Sequence, residues 1–186
     1  RYQVGGDWGN YIEYLDLARP RDFSVGDALV VAYGNATGYM LLNWIVLQLG
    51  LGMYAVNLFC AAIFTFGLMK YCRKQPMPWV ALAAAVPYMV YGVAMGYTRQ
   101  ATALGFFLWG LSVLREGKEF KYFVLILAAC TFHVSAILTL PLILLTRKKI
   151  PRFWFPLFGF LLVGAFFVMT TVTLGPSGVT LLEGYQ

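Results

Sequence analysis

The stretch Ala128-Ala-Cys-Thr-Phe-His-Val-Ser-Ala-Ile-Leu138 places the chain's only histidine, His133, inside an apolar run from Tyr122 to Leu145. That run matches the roughly 20 residues a helix needs to cross a bilayer. An imidazole at such depth has no water to bond, so an unpaired ring is costly there. Ionisable residues within a membrane face a bundle interior or a water-filled cavity and mark functional paths. Two readings of His133 stand side by side. It is either a functional residue on such a path or a core histidine donating to a carbonyl of a neighbouring helix.

Outward from this stretch the chain stays apolar. Of its 186 residues 60% are hydrophobic and 12% charged, and the mean hydropathy is +0.70. Soluble domains carry about one quarter charged residues. The expected fold class is therefore all-α, a polytopic helical membrane protein. The net charge of +6 does not point to nucleic acid, because the basic residues sit in short clusters between apolar runs. Such clusters describe membrane topology, not an RNA-binding face. Cys60, Cys72 and Cys130 show no paired spacing and read as small hydrophobes. There is no initiator Met or signal peptide. With its polar turns near the end, the chain reads as an internal piece of a longer protein.

Residues 1–27 hold five of the eight acidic residues, interleaved with Tyr2, Trp8, Tyr11 and Tyr14. Tyr11, Tyr14 and Leu15 fall on one face of a short helix. Such a block suits an interfacial loop binding a sugar or head group, or else a solvated connector with an aromatic belt. Tyr39–Leu49 is too short to span and is expected to lie in the interface or re-enter. Spans are expected over Tyr54–Met69, Trp79–Met95 with a kink at Pro87, Ala101–Leu114, Tyr122–Leu145 and Phe153–Leu174. The organisation expected is an outer-face polar loop with re-entrant helices over 1–50, a helical bundle over 51–175, and a following loop from 176 to 186.

The basic loops assign sides. Lys70, Arg73 and Lys74 place their loop in the cytoplasm, so Arg99 and the N-terminal block lie outside and Arg115–Lys121 inside. Arg147-Lys-Lys149 and Arg152 break the alternation, since one crossing from Tyr122 puts them outside. Either the helix breaks near His133 and turns back, or these residues serve an anionic ligand on the outer face.

Arg99 opens a helix after the Gly96 hinge. A guanidinium there, with exposed helix amides, makes an anion site, although an interfacial arginine that snorkels has the same pattern. Gln100 beside it suggests a polar cavity. Cys130 and His133 alone make a poor metal site. Ser135 points away from His133 on a straight helix, which argues against a Ser–His dyad. No phosphate-loop, paired-cysteine or zinc-protease pattern occurs. Neither metal nor cofactor is expected.

Four ordered motifs carry a resemblance: Arg1-x-x-Val-Gly-Gly-Asp7-x-x-x-Tyr11, Gly38-Tyr-x-Leu-Leu-Asn43, Thr98-Arg-Gln-Ala-x-Ala103 and Phe132-His-Val-Ser-Ala-Ile137. From Arg1 to about Leu145 the chain resembles the EpsG-like, Wzy-type polysaccharide polymerases of O-antigen and exopolysaccharide synthesis. The resemblance implies a multi-pass enzyme of the bacterial inner membrane, related in fold to lipid-donor (GT-C-like) glycosyltransferases. Such an enzyme joins undecaprenyl-diphosphate-linked repeat units on the periplasmic face. Membrane lipids, a flippase and chain-length regulators are the partners it implies, with no nucleic acid. One departure stands out: Asn35-Ala-Thr37 precedes Gly38-Tyr39 where related sequences often carry an acidic residue.

Glycosyl transfer from a lipid diphosphate needs a cationic cradle for the leaving group, a group to activate the acceptor hydroxyl, and a groove for the lipid tail. Arg99 and Arg1 are candidates for the cradle. Asp7 and His133 are candidates for the base, with the choice open. Tyr11, Glu13, Gln100 and Ser135 are candidate substrate contacts. Two rival classes use the same residues: a transporter or flippase of lipid-linked sugars, and an O-antigen ligase-type transferase.

Overall fold

A computed structural model describes residues 8–17, 37–146, 159–160 and 163–164. Contacts divide the chain into two units, Arg1–Thr146 and Arg147–Gln186. In the second unit only 159–160 and 163–164 are described, and they are helical. The expected span Phe153–Leu174 and the basic run Arg147–Arg152 fall almost wholly outside the described residues.

The first unit is all-α among the described residues. Its helices are α1 (Trp8–Leu17), α2 (Thr37–Gln48), α3 (Met53–Cys72), α4 (Pro78–Ala85), α5 (Thr98–Leu114) and α6 (Glu119–Phe132). A π-helical stretch, Val86–Ala94, continues α4, and a 3₁₀ segment, Val134–Thr146, follows α6.

α3 is the one described helix long and apolar enough to cross a membrane, with 20 residues. It is apolar all round, as in a buried or lipid-facing helix. Val56, Cys60, Phe64 and Leu68 turn inward, while Leu58 and Tyr54 stay 70% and 63% exposed. Trp79, Tyr88 and Phe120 likewise face outward. An outer surface built of such side chains suits a lipid surround better than water.

α3 and α5 run parallel, with α4 returning between them. Asn57 faces Thr98 at one end (Oγ1–Oδ1 3.5 Å). Ser112 donates to the Lys70 carbonyl at the other, at 3.0 Å. Halfway along, Gly67 and Gly105 let the two backbones touch: a Cβ on Gly67 would overlap the Gly105 carbonyl. Small residues permit this approach, and close van der Waals packing holds helices together where lipid removes the hydrophobic drive.

The basic loops share one end of the bundle. The Lys74 ammonium donates to Glu116 and, at 2.7 Å, to the Ser112 carbonyl. Lys118 also donates to Glu116. Arg115 donates to the Lys74 carbonyl at 2.9 Å. Donation from Lys118, then from Lys74, holds the exposed Glu116 carboxyl down at about 2. This shared end is the arrangement that the alternation of basic loops predicts.

One expectation gains detail and one changes. At Pro87, where a kink is expected, the chain widens from α to π, and Met95 N–H donates to the Val90 carbonyl five residues back at 3.0 Å. A proline lacks the N–H for the α ladder and strikes the carbonyl four residues back, and a wider turn relieves both. The run from Tyr122 to Leu145 is not one helix. α6 stops at Phe132, and His133 is extended (φ −152°, ψ 116°). The 3₁₀ segment then doubles back along α6. Tyr122, near the start of α6, donates to the Thr139 carbonyl at 2.5 Å. Leu140, Leu142 and Ile143 pack with Leu114, Tyr122 and Ile126 near the basic end. The break near His133, one of the two readings that the basic run prompts, is present; Arg147–Arg152 themselves lie outside the described residues.

α2 is short because it begins at mid-depth. Gly38 abuts the end of α6, where an added Cβ would lie 2.9 Å from Thr131 Cβ and 3.1 Å from Phe132 Cε2. From there α2 climbs to the end of the bundle where α3 starts. Two incomplete helices thus meet inside the bundle, beside His133.

Candidate active site

The end opposite the basic loops is built on the first turn of α5. Arg99 lies there, half-buried, against α1. Its guanidinium carbon stands 5.1 Å from the Tyr14 ring centroid and 5.8 Å from that of Tyr11. Nη1 donates to the Tyr14 hydroxyl at 3.2 Å. α1 can do this because Tyr11, Tyr14 and Leu15 share its inward face; Tyr11 and Leu15 are buried. Both rings rest in turn on buried Tyr39 of α2, at 5.5 and 6.2 Å between centroids. A guanidinium over two ring faces is oriented as well as stabilised, by about 0.5–1 kcal/mol per exposed contact and more when desolvated.

Gln100, the next residue, turns to the other side of α5. It lines a cavity of about 380 Å³ together with His133, Ser135, Thr139 and Tyr88. Among the described residues that line this cavity, none carries a fixed charge. The helix break puts His133 there. Ser135 Oγ lies 2.6 Å from His133 Nδ1, and the Ser135 backbone N–H donates to the same nitrogen at 3.3 Å. This corrects the expectation that Ser135 points away. That geometry belongs to a straight helix, and the extended residue at 133 swings Ser135 back over the ring.

A second cavity, of about 400 Å³, lies between α1, α3 and the start of α5 and is lined by Tyr11, Tyr54, Asn57 and Thr98 among others. The structure therefore gathers the candidate residues into two groups, Arg99 with Tyr11 and Gln100 with His133 and Ser135, joined through consecutive residues of one helical turn. Glu13 is exposed on the outer face of α1. Arg1 and Asp7 lie outside the described residues.

Asn57, Tyr88 and Thr139 join these groups without having been singled out in the sequence, and Tyr14, read there only as sharing a helical face with Tyr11, joins them too. Asn57 carried a signal, being the only amide in the apolar helix Met53–Cys72. Tyr14 is three residues from Tyr11, on the same face. Tyr88 and Thr139 carried none, because their approach depends on the π stretch and the fold-back.

The model of the EpsG family matches residues 1–185 of the chain. No curated protein and no solved structure matches it.

Proposed function

Because the chain belongs to the EpsG family, membrane proteins with a polysaccharide-polymerase type of role, we propose that it extends a surface polysaccharide by glycosyl transfer from a polyprenyl-diphosphate-linked repeat unit at the outer face of the bacterial inner membrane. One observation carries this reading. A guanidinium held by two tyrosines and a cavity whose described lining has polar groups and no fixed charge flank the same turn of α5, at Arg99 and Gln100. A sugar joined to a diphosphate has these two halves, one anionic and one neutral.

In the step proposed, an acceptor hydroxyl oxygen attacks the anomeric carbon of the donor. The bond from that carbon to the diphosphate oxygen breaks, and its electron pair leaves with the lipid diphosphate. The hydroxyl proton passes to a general base, for which Asp7 and His133 are the candidates. Arg99, with Arg1 as a further candidate, balances the charge growing on the leaving group. Tyr11 and Tyr14 fix the guanidinium before substrate arrives, so little reorganisation is needed during reaction. The outward apolar faces of α3 and the π stretch offer the lipid tail a surface. On this reading the bundle is akin to lipid-donor (GT-C-like) glycosyltransferases, and undecaprenyl is the expected carrier.

The test is reconstitution. Purified protein in liposomes, given the lipid-linked repeat unit of its host, should yield a ladder of polymer on a gel. A protein that moves the lipid-linked unit across the bilayer without lengthening it is a transporter. One that lengthens nothing but transfers finished polymer to lipid A is a ligase.

A further inference from the structure

We propose that the cavity between α1, α3 and the start of α5 receives the first isoprene units of a polyprenyl diphosphate, with the diphosphate at Arg99 and the chain running inward along α3. The inference rests on the polymerase reading for the identity of the carrier. The grading of the cavity wall says where the chain lies. The cavity, of about 400 Å³, follows α3 from Tyr54 to Phe64, about 15 Å of helix. Polar groups come first. Tyr54, Asn57 and Thr98 line it at the end of the bundle that carries Arg99. Tyr11 lines it too, and its ring centroid stands 5.8 Å from the Arg99 guanidinium carbon. Thr98 Oγ1 meets Asn57 Oδ1 at 3.5 Å, near the limit for a hydrogen bond, so both groups keep capacity for a ligand. Deeper along α3 the described wall is made by Cys60, Phe64 and Ala101, all buried.

This order of groups fits an amphiphile. A free anion would use the guanidinium and leave the deeper wall unfilled. A free sugar carries hydroxyls round its whole edge, and setting them against Cys60, Phe64 and Ala101 would strip their water for little return. A prenyl chain with a charged head matches both levels. It also has a way in. Tyr54 and Ala61 both line the cavity and are both exposed. Two turns apart, they mark one face of α3. The cavity therefore opens sideways along that face, where the rest of a long chain can pass into the lipid surround. Moving the tail from lipid to cavity gains little by itself, because both are apolar. The contribution is alignment: a held chain fixes where its head emerges and keeps the diphosphate against Arg99.

Three probes test this on the full-length protein in nanodiscs, by calorimetry: inorganic diphosphate, geranyl diphosphate, and the oligosaccharide released from the host's lipid-linked pool by mild acid. Geranyl diphosphate should bind about tenfold or more tightly than inorganic diphosphate. Ala61→Phe fills the cavity from α3 and Ala94→Phe fills it from the end of the π stretch, so the test survives if one variant fails to fold. In a folded variant, geranyl diphosphate should fall to within about threefold of inorganic diphosphate, whose own affinity should hold. A preference for geranyl diphosphate that survives the filling overturns the proposal. So does an equal loss of both ligands at unchanged melting temperature. A diazirine at the far end of the geranyl chain should crosslink to Cys60, Ala61 or Phe64. Crosslinks confined to Leu58 and Phe59 on the outward face overturn the assignment. Suppression of the crosslink by the oligosaccharide would make the cavity a saccharide site and overturn it as well. If wild type makes no ladder in liposomes, the polymerase reading fails and the binding results stand. A ladder made at the wild-type rate by the filled variants sinks the cavity assignment alone.

Discussion

Gly67 and Gly105 meet backbone to backbone at the crossing of α3 and α5. A Cβ on Gly105 would stand 2.6 Å from Phe64 Cα and 2.8 Å from the Ile63 carbonyl oxygen. No flexible side chain can yield there. Gly105→Ala should lower stability by about 1–3 kcal/mol, the usual cost of forcing atoms into a packed interior. Gly92→Ala, whose nearest new contact is an ordinary 3.7 Å to the Tyr88 ring, is the control and should leave the melting temperature nearly unchanged. Thermal melts in detergent compare the two. Equal melting temperatures would place the crossing elsewhere.

Glu116 ties together the basic end. Its folded carboxyl is held down at about 2, below the ordinary 4.5, by Lys118 and then Lys74. A depressed folded value stabilises fully above the ordinary one and loses that contribution as pH falls toward the folded one. Wild-type protein should therefore lose melting temperature between about pH 4.5 and 2 through this group. In Glu116→Gln that component of the acid slope should be missing. Parallel pH profiles for the two proteins would show that the pairing is absent in solution.

Arg99→Lys keeps the charge but loses the planar fork and the stacking on Tyr11 and Tyr14. Polymer formation should fall by about tenfold or more, since an ammonium cannot make the two-point contact with phosphate. Tyr14→Phe keeps the ring and removes the hydroxyl that accepts from Nη1, so a loss of only a few-fold is expected. Initial rates in liposomes at equal protein content decide this. Full activity in the lysine variant would remove the two-point cradle.

The fold-back after His133 makes a topological prediction. Cysteines placed at Glu119 and Thr146 should react with a membrane-impermeant maleimide from the same side, and a cysteine at Thr98 from the opposite side. A label at Thr146 that follows Thr98 would mean the chain crosses without turning back.

His133 shows where reading the sequence succeeds and where it stops. A lone imidazole in an apolar run is visible as an anomaly by residue type alone, and so is the conflict between a single crossing and the basic residues after Thr146. The position of the break was not legible, because no glycine or proline precedes it; Pro141 comes eight residues later, inside the 3₁₀ segment. Ser135 was misjudged for the same reason, its placement following from the backbone angles of one residue. Pro87 was recognised as a disturbance, but its outcome depends on a whole stretch widening to π. The common end shared by Lys74 and Glu116 followed from charge alternation, whereas the ion pair itself needs the parallel alignment of α3 with α5. Arg99 was read as an anion-binding group from its place at a helix start. That Tyr11 and Tyr14 hold it depends on α1 docking across 85 residues of sequence, and local spacing does not encode that.

The meeting of Gly38 with Thr131 and Phe132 has an electrical consequence. α2 begins where α6 ends, so the positive terminus of one helix dipole touches the negative terminus of the other. Each carries roughly half an elementary charge, and in contact the two largely cancel. Helices that stop inside a low-dielectric slab would otherwise attract counter-ions or water to their ends. Here each end is the other's counter-ion. What these two ends contribute to the potential in the neighbouring cavity is then reduced, and the start of α5, with Arg99 in its first turn, is left as a positive element beside it.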